Sequence, residues 1–220
     1  MISMIISIMA GGPECFWPDL EWYVEKTDLW VGVDRGVWSL LEKGIEPTYG
    51  FGDFDSVSEG EYKKIEQRLE QINLYSSEKD ETDLEIAFKW AIGQKPSEIH
   101  ILGATGGRMD HFLGNIQLLQ KESVLPYHGD IEIYIVDRQN IFTVKTAGSY
   151  DVTALKDKKY LSLLPVTAEV TGITLSGFKY PLNDASVEIG STLCISNELI
   201  SDSGNVSFEK GILMVIRSSD

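Results

Sequence analysis

Asp53 and Asp55 stand two apart in GDFDS, so in an extended segment both carboxylates face one side and can address one cation. Mg²⁺ suits such a pair. The same spacing also suits an acidic turn, because Asp hydrogen-bonds nearby backbone where a strand ends. Asp34 in VDRG has that second reading too, and Asp83 in ETDLE has one as an acid in a first helical turn, facing the positive end of the dipole. A different chemistry comes with GATGGRMDHFLGN. Gly106 and Gly107 let backbone N–H groups approach an anion, the helix that follows offers its positive end, and Arg108 adds a cation matched to phosphate. His111 serves a helix cap or a core as readily as a ligand. The segment is neither a Walker A loop, lacking the Gly-Lys-Ser/Thr ending, nor GxGxxG, its glycines being 103, 106 and 107. Taken together, carboxylates for Mg²⁺ and a glycine turn with an Arg for phosphates are the parts of a phosphoryl or pyrophosphoryl transferase.

These residues need elements to gather them. Six apolar runs, IISIMA, LWVGV, TYGFG, INLYSS, EIHILGA and IEIYIV, alternate with stretches of helical period up to about residue 137. That alternation predicts an α/β fold with a mostly parallel sheet flanked by helices, and several runs are apolar on both faces as buried parallel strands are. In such a sheet ligands bind beyond the carboxyl ends of the strands. Asp34, Asp53, Asp83 and the glycine turn each follow a predicted strand, so they converge on one edge. VWSLLEKGIEP reads as a helix with Gly44 as its C′ residue and Pro47 beyond it, and Thr82 with Glu85 predicts a capping box opening another. After about residue 138 the helical period disappears. Short runs, YLSLLP, AEVTGITLSGF, STLCIS, NVSFE and ILMVIR, alternate with turn signals at NDAS, DSGN and EKG, which predicts a small all-β sandwich or jelly roll. The boundary is expected near DRQN, giving domains 1–137 and 138–220.

Composition narrows the function further. In 220 residues, 19 Lys and Arg face 34 Asp and Glu for a net charge of −15, which disfavours nucleic acid as a partner. Cys15 and Cys194 form no CxxC pair, so neither a disulfide framework nor a zinc knuckle is written here. The N-terminal apolar run has no basic residue before it and stops at Gly11-Gly12-Pro13, so it reads as a buried strand. No stretch approaches the roughly 20 apolar residues of a membrane helix. The expectation is a soluble, cytoplasmic protein with no membrane partner.

Four segments in this order resemble the thiamine pyrophosphokinase family: GVDRGVWSLLEKGIEPTYGFGDFDSV, EKDETDLEIAFKWAI, ILGATGGRMDHFLGNIQLL and GFKYPLNDASVEIGSTLCISNE. The resemblance implies a Rossmann-like α/β catalytic domain that binds ATP and Mg²⁺, then a β domain that helps bind thiamine. It also implies a homodimer with active sites between subunits. By motif, Asp53, Asp55 and Asp83 correspond to the Mg²⁺ and catalytic carboxylates. Asp34 and Arg35, with Gly106, Gly107, Arg108, Asp110, His111 and Asn115, correspond to the nucleotide site, and Lys79, Thr82, Ser196 and Asn197 to substrate contacts. Many members carry two glycines after the first-loop Asp, where this chain has Arg35 and Gly36. All five tryptophans, at 17, 22, 30, 38 and 90, precede the β half, so an aromatic platform for thiamine there is not Trp.

The reaction this implies is in-line attack of the thiamine hydroxyl on the β-phosphorus of ATP, with AMP leaving and an aspartate of the 53, 55, 83 group taking the proton. Two other readings use the same residues. One is a diphosphate transfer to another heteroaromatic alcohol such as a pterin; the other is a non-catalytic sensor of Mg²⁺ or nucleotide.

Overall fold

The structure is a computed structural model and describes residues 3–69, 71–74 and 80–220. The chain folds as two compact units, Met1–Leu118 with Asp130–Arg138, and Leu119–Gly129 with Gln139–Asp220.

In the first unit β1 (Ile5–Met9), β2 (Leu29–Val33), β3 (Tyr49–Gly52), β4 (Gln71–Leu74), β5 (Glu98–Leu102) and β6 (Glu132–Val136) pair in parallel. Their order is β6-β5-β1-β2-β3-β4. The last four of the five residues in each of β1, β2 and β5 are buried, as expected of strands covered on both faces. The helices are α1 (Leu20–Val24), α2 (Arg35–Glu42), α3 (Glu59–Arg68), α4 (Asp83–Gly93) and α5 (Met109–Leu118). Val37, Leu40 and Leu41 line the buried stripe of α2, and Gly44 at φ 74° ends that helix as its sequence predicts. From β1 the chain steps outward to β4, and α4 then carries it back past β1 to β5. The strand order therefore reverses between β1 and β5, which is where open parallel sheets bind ligands.

The second unit holds β7 (Asn140–Thr153), β8 (Tyr160–Pro165), β9 (Glu169–Ser176), β10 (Leu182–Glu188), β11 (Asn197–Glu198) and β12 (Ser203–Ser218), all antiparallel. The strands of the protein are thus mixed, and the expected mostly parallel sheet is corrected: helical crossovers serve only the first unit, whereas turns and bulges connect β7 to β12. NVSFE and ILMVIR are not two strands. Both lie in β12, which pairs with β7 along its length, and the register slips between Phe208 and Ile212, so EKG makes a bulge rather than a hairpin. The first half of β12 pairs with β9 and the second with β8. Leu161, Leu163, Val170, Ile173, Leu175, Val187, Val206, Phe208 and Leu213 from these strands make one buried cluster. NDAS falls inside β10, where Asp184 at φ 50° marks an irregularity. STLCIS is turn, not strand: Cys194 is buried but Leu193 and Ile195 point to solvent. Both cysteines are free. Among the described residues no helix is long and apolar enough to cross a membrane.

Candidate active site

Four loops at the carboxyl ends of β5, β1, β2 and β3 form a continuous rim, and glycines let their backbones meet. Gly12 N–H donates to Gly103 O at 2.8 Å, and a Cβ on either glycine would collide with the other loop's backbone. A Cβ on Gly36 would overlap Met9 O, and one on Gly11 would touch Arg35 Cβ at 3.4 Å. Asp34 N–H then donates to Phe51 O at 2.8 Å, joining the β2 loop to β3. The loop after β1, Gly11 to Pro13, is part of this rim. In the sequence, Gly11-Gly12-Pro13 shows only as the end of a strand; its place beside the reversal in strand order is what marks it out.

Asp34 sits at the N-cap of α2 with φ 48° and ψ −121°, a strained backbone for a residue with a side chain. Its carboxyl does not cap the helix. It lies along the end of β3, in space left by Gly52, where a Cβ would overlap Asp34 Oδ1. Phe54 N–H approaches the same oxygen at 3.4 Å. Burial, then the field of Asp83, push the Asp34 carboxyl up to about 6, with Asp53 and Asp55 adding to the shift against the Phe54 hydrogen bond. The four predicted aspartates therefore share one electrostatic neighbourhood. Phe54, only 4 % exposed and at φ 59°, turns its ring into the cluster of Val37, Leu41, Ile65 and Leu69. That inward turn leaves Asp53 and Asp55 on the outside, with Asp53 Oδ1 accepting from Asp55 N–H at 3.1 Å. Asp83 opens α4 behind Thr82, whose hydroxyl accepts from Glu85 N–H at 3.2 Å. Glu85 itself pairs with Lys89 at 2.8 Å, and Lys89 also pairs with Glu81, so the helix start is braced on both sides of Asp83. Lys79 lies outside the described residues.

Across the rim, Gly106 (φ 77°) and Gly107 (φ 64°) hold the left-handed conformations that glycine adopts without strain. Phe16 packs where a Cβ on Gly106 would be. Asn115 Nδ2 donates to Ala104 O at 2.8 Å, tying α5 to the turn. Arg108 is exposed and grips Asp110 through two bonds, Nε to Oδ1 at 3.1 Å and Nη2 to Oδ2 at 2.6 Å. Asp110 Oδ1 also accepts from His111 N–H at 2.9 Å. The Arg108 bonds, then the His111 one, hold the Asp110 carboxyl down to about 2. Asp110 thus takes Nε and Nη2 of the guanidinium and sets its orientation at the surface. The imidazole of His111 is exposed.

In the second unit Ser196 has φ 57°, and its N–H donates to Ser162 Oγ at 2.9 Å. Asn197 is 3 % exposed and its amide is spent on backbone: Oδ1 accepts from Tyr180 N–H (3.0 Å) and Glu198 N–H (2.9 Å), and Nδ2 donates to Tyr180 O (2.8 Å). Tyr180, its backbone fixed this way, is 57 % exposed.

Residues 20–135 match the family model for "Thiamin pyrophosphokinase, catalytic domain", and residues 149–213 match "Thiamin pyrophosphokinase, vitamin B1 binding domain". The thiamine pyrophosphokinase of Bacillus subtilis (strain 168) is 48 % identical over 215 residues, 98 % of this chain and 99 % of that one. The chain belongs to the thiamin pyrophosphokinase family. A crystal structure of the Bacillus subtilis thiamine pyrophosphokinase superposes with a TM-score of 0.91 at 46 % identity, covering 98 % of this chain and 99 % of that one. One of the Geobacillus thermodenitrificans thiamin pyrophosphokinase gives 0.89 at 48 % identity, over 99 % and 98 %.

A divalent ion fits the rim of this thiamin pyrophosphokinase fold on electrostatic grounds. A carboxyl pushed up by burial and by three other carboxylates is a concentration of negative charge that a cation offsets. Among the described residues no three His, Cys, Asp or Glu side chains are gathered closely enough to cage an ion unaided. Mg²⁺ seldom uses such a cage; it takes one or two carboxylates together with waters and substrate phosphates.

Proposed function

We propose that this chain transfers the diphosphate of ATP to the hydroxyl of thiamine, giving thiamine diphosphate and AMP. What carries the reading is that both units match, in order, the catalytic and vitamin B1 binding models of one family. The first unit acts as a Rossmann-like nucleotide domain and the second as a small β sandwich that binds thiamine. Asp53, Asp55 and Asp83 would hold Mg²⁺ against the ATP phosphates, where the ion spreads the charge that develops during transfer. Arg108, oriented by Asp110, and the N–H groups of the 106–107 turn would together bind a phosphate. The thiamine oxygen attacks the β-phosphorus, its bond to the oxygen bridging the α-phosphorus breaks, and that oxygen leaves with AMP. The hydroxyl proton passes to a carboxylate of the rim. Asn197 clasps the backbone of Tyr180 and so presents its ring as the aromatic face that Trp does not supply in this unit. The working molecule is a cytoplasmic homodimer with its active sites between subunits, in keeping with two free thiols and with Ile189, Leu193 and Ile200 open to solvent.

The test is turnover with thiamine, ATP and Mg²⁺, followed as AMP release, with a pterin alcohol as the competing acceptor. Asp55→Ala and Asp83→Ala are expected to lower kcat on the order of 100-fold. Near-normal rates in both variants would overturn the site assignment, and preference for the pterin would overturn the acceptor.

A further inference from the structure

We infer that Arg35 is a positioning residue: it locks the loop carrying Asp53 and Asp55 onto the first turn of α2, beside Asp34, and thereby sets the affinity of the rim for its divalent ion. The inference rests on the function proposed above and assigns Arg35 a role other than phosphate contact.

The placement of this side chain already points away from a merely local role. Arg35 is the first residue of α2, where a positive charge meets the positive end of the helix dipole and costs stability. Its guanidinium is instead used across the rim. Nη1 donates to Ser56 O at 3.2 Å, and Nη2 stands 3.7 Å from Glu61 Oε1. Glu61 is fixed in its turn, because its other oxygen accepts from Ser58 N–H at 2.7 Å in the capping box of α3. The hydrogen bonds with Ser58, and to a lesser extent the charge of Arg35, draw the Glu61 carboxyl below its usual range.

Between Phe54, anchored by its buried ring, and Ser58, the N-cap of α3, the backbone turns outward, closed by Val57 N–H donating to Phe54 O at 3.2 Å with Val57 packed on the same cluster as Phe54. Arg35 ties the outer side of that turn to α2 at Ser56 O, one residue past Asp55. Asp34 precedes Arg35 directly, so a single side chain couples the position of the Asp53-Asp55 loop to that of Asp34. Residues that orient metal ligands typically change metal affinity 10–100-fold when removed.

Equilibrium binding of Mn²⁺, as a spectroscopic stand-in for Mg²⁺, to the full chain holding a non-hydrolysable ATP analogue tests this without relying on turnover. Arg35→Ala is expected to weaken the ion about tenfold while affinity for the analogue in EDTA stays the same. Arg35→Lys keeps the charge but cannot reach Ser56 and Glu61 together, and is expected to fall between the two. Glu61→Gln is expected to shift ion affinity in the same direction by less. Thermal unfolding separates these effects from misfolding. A fall in metal-free analogue binding with unchanged Mn²⁺ affinity would make Arg35 a phosphate contact and overturn the proposal. Full activity and ion affinity in Arg35→Ala would overturn it as well. Wild-type protein that transfers no diphosphate to thiamine would fail the functional reading alone, since the binding measurements would still report on Arg35.

Discussion

Asp34 keeps its carboxyl against the end of β3 only because the residue it lies beside has no side chain. Gly52 has φ 145° as well as no room for a Cβ, so Gly52→Ala strains the backbone and displaces the Asp34 oxygen together. On the function proposed above, a misplacement of about 1 Å in the rim costs on the order of 100-fold in rate, and that is the expected fall in kcat for Gly52→Ala. Circular dichroism should remain native, because the change is confined to a strand end. Wild-type turnover would mean that the Asp34 position does not matter. The aspartates were legible in the sequence because their residue type and their place after strands both carry chemistry. Gly52 was not, since its contribution is the absence of an atom. Asn197 and Arg108 were legible only as polar groups: the sequence contains no sign that the amide is consumed by Tyr180 and Glu198 backbone, or that Arg108 is held by Asp110.

The same distinction between what is present and what is used appears in the elements. Thr82 and Glu85 predict a capping box, yet the reciprocal pair forms at Ser58 and Glu61, where Ser58 N–H reaches Glu61 Oε2 at 2.7 Å and Glu61 N–H reaches Ser58 Oγ at 3.4 Å. At α4 Lys89 engages Glu85, a competition that spacing alone does not reveal. Ser58→Ala is expected to lower stability by about 1 kcal/mol, read as a lower urea midpoint with an unchanged slope. An unaltered midpoint would mean that α3 is fixed by packing alone. Strands β1, β2, β5 and β8 were readable from their apolar runs. The long strands β7 and β12 were not, because polar and glycine-bearing stretches such as KTAGSYD and EKG look like breaks while their backbones continue the ladder through Thr146–Ile212 and, past the bulge, Gly148–Phe208.

Across the whole molecule, proton uptake tests what holds the fold, and one buried base carries part of the answer. His100 on β5 is 4 % exposed, its ring 5.2 Å from Tyr23 and 5.7 Å from Tyr134. In the sequence EIHIL it is only a strand residue. Burial, then Lys26, push its imidazole down to about 4. Glu98 Oε2, 3.2 Å from Nε2, favours the charged form, but that side chain is 39 % exposed and the ring 5 %, so burial prevails. Glu132 faces the same side and is occupied by the Tyr134 hydroxyl at 3.1 Å. Nδ1 is buried without a hydrogen-bond partner, so a proton added there has no acceptor. Unfolded chains take up that proton near 6.5 and the folded one near 4, so the stability His100 contributes is complete above 6.5 and is lost as pH falls toward 4. The full loss is on the order of 3 kcal/mol. Asp34 works in the opposite sense, since its raised carboxyl gains a proton in the folded state first. Comparing wild type with His100→Gln cancels that contribution. Between about pH 7.5 and 5 the urea midpoint of the wild type should fall further than that of the variant; parallel losses would show that the imidazole is not the group that limits acid stability.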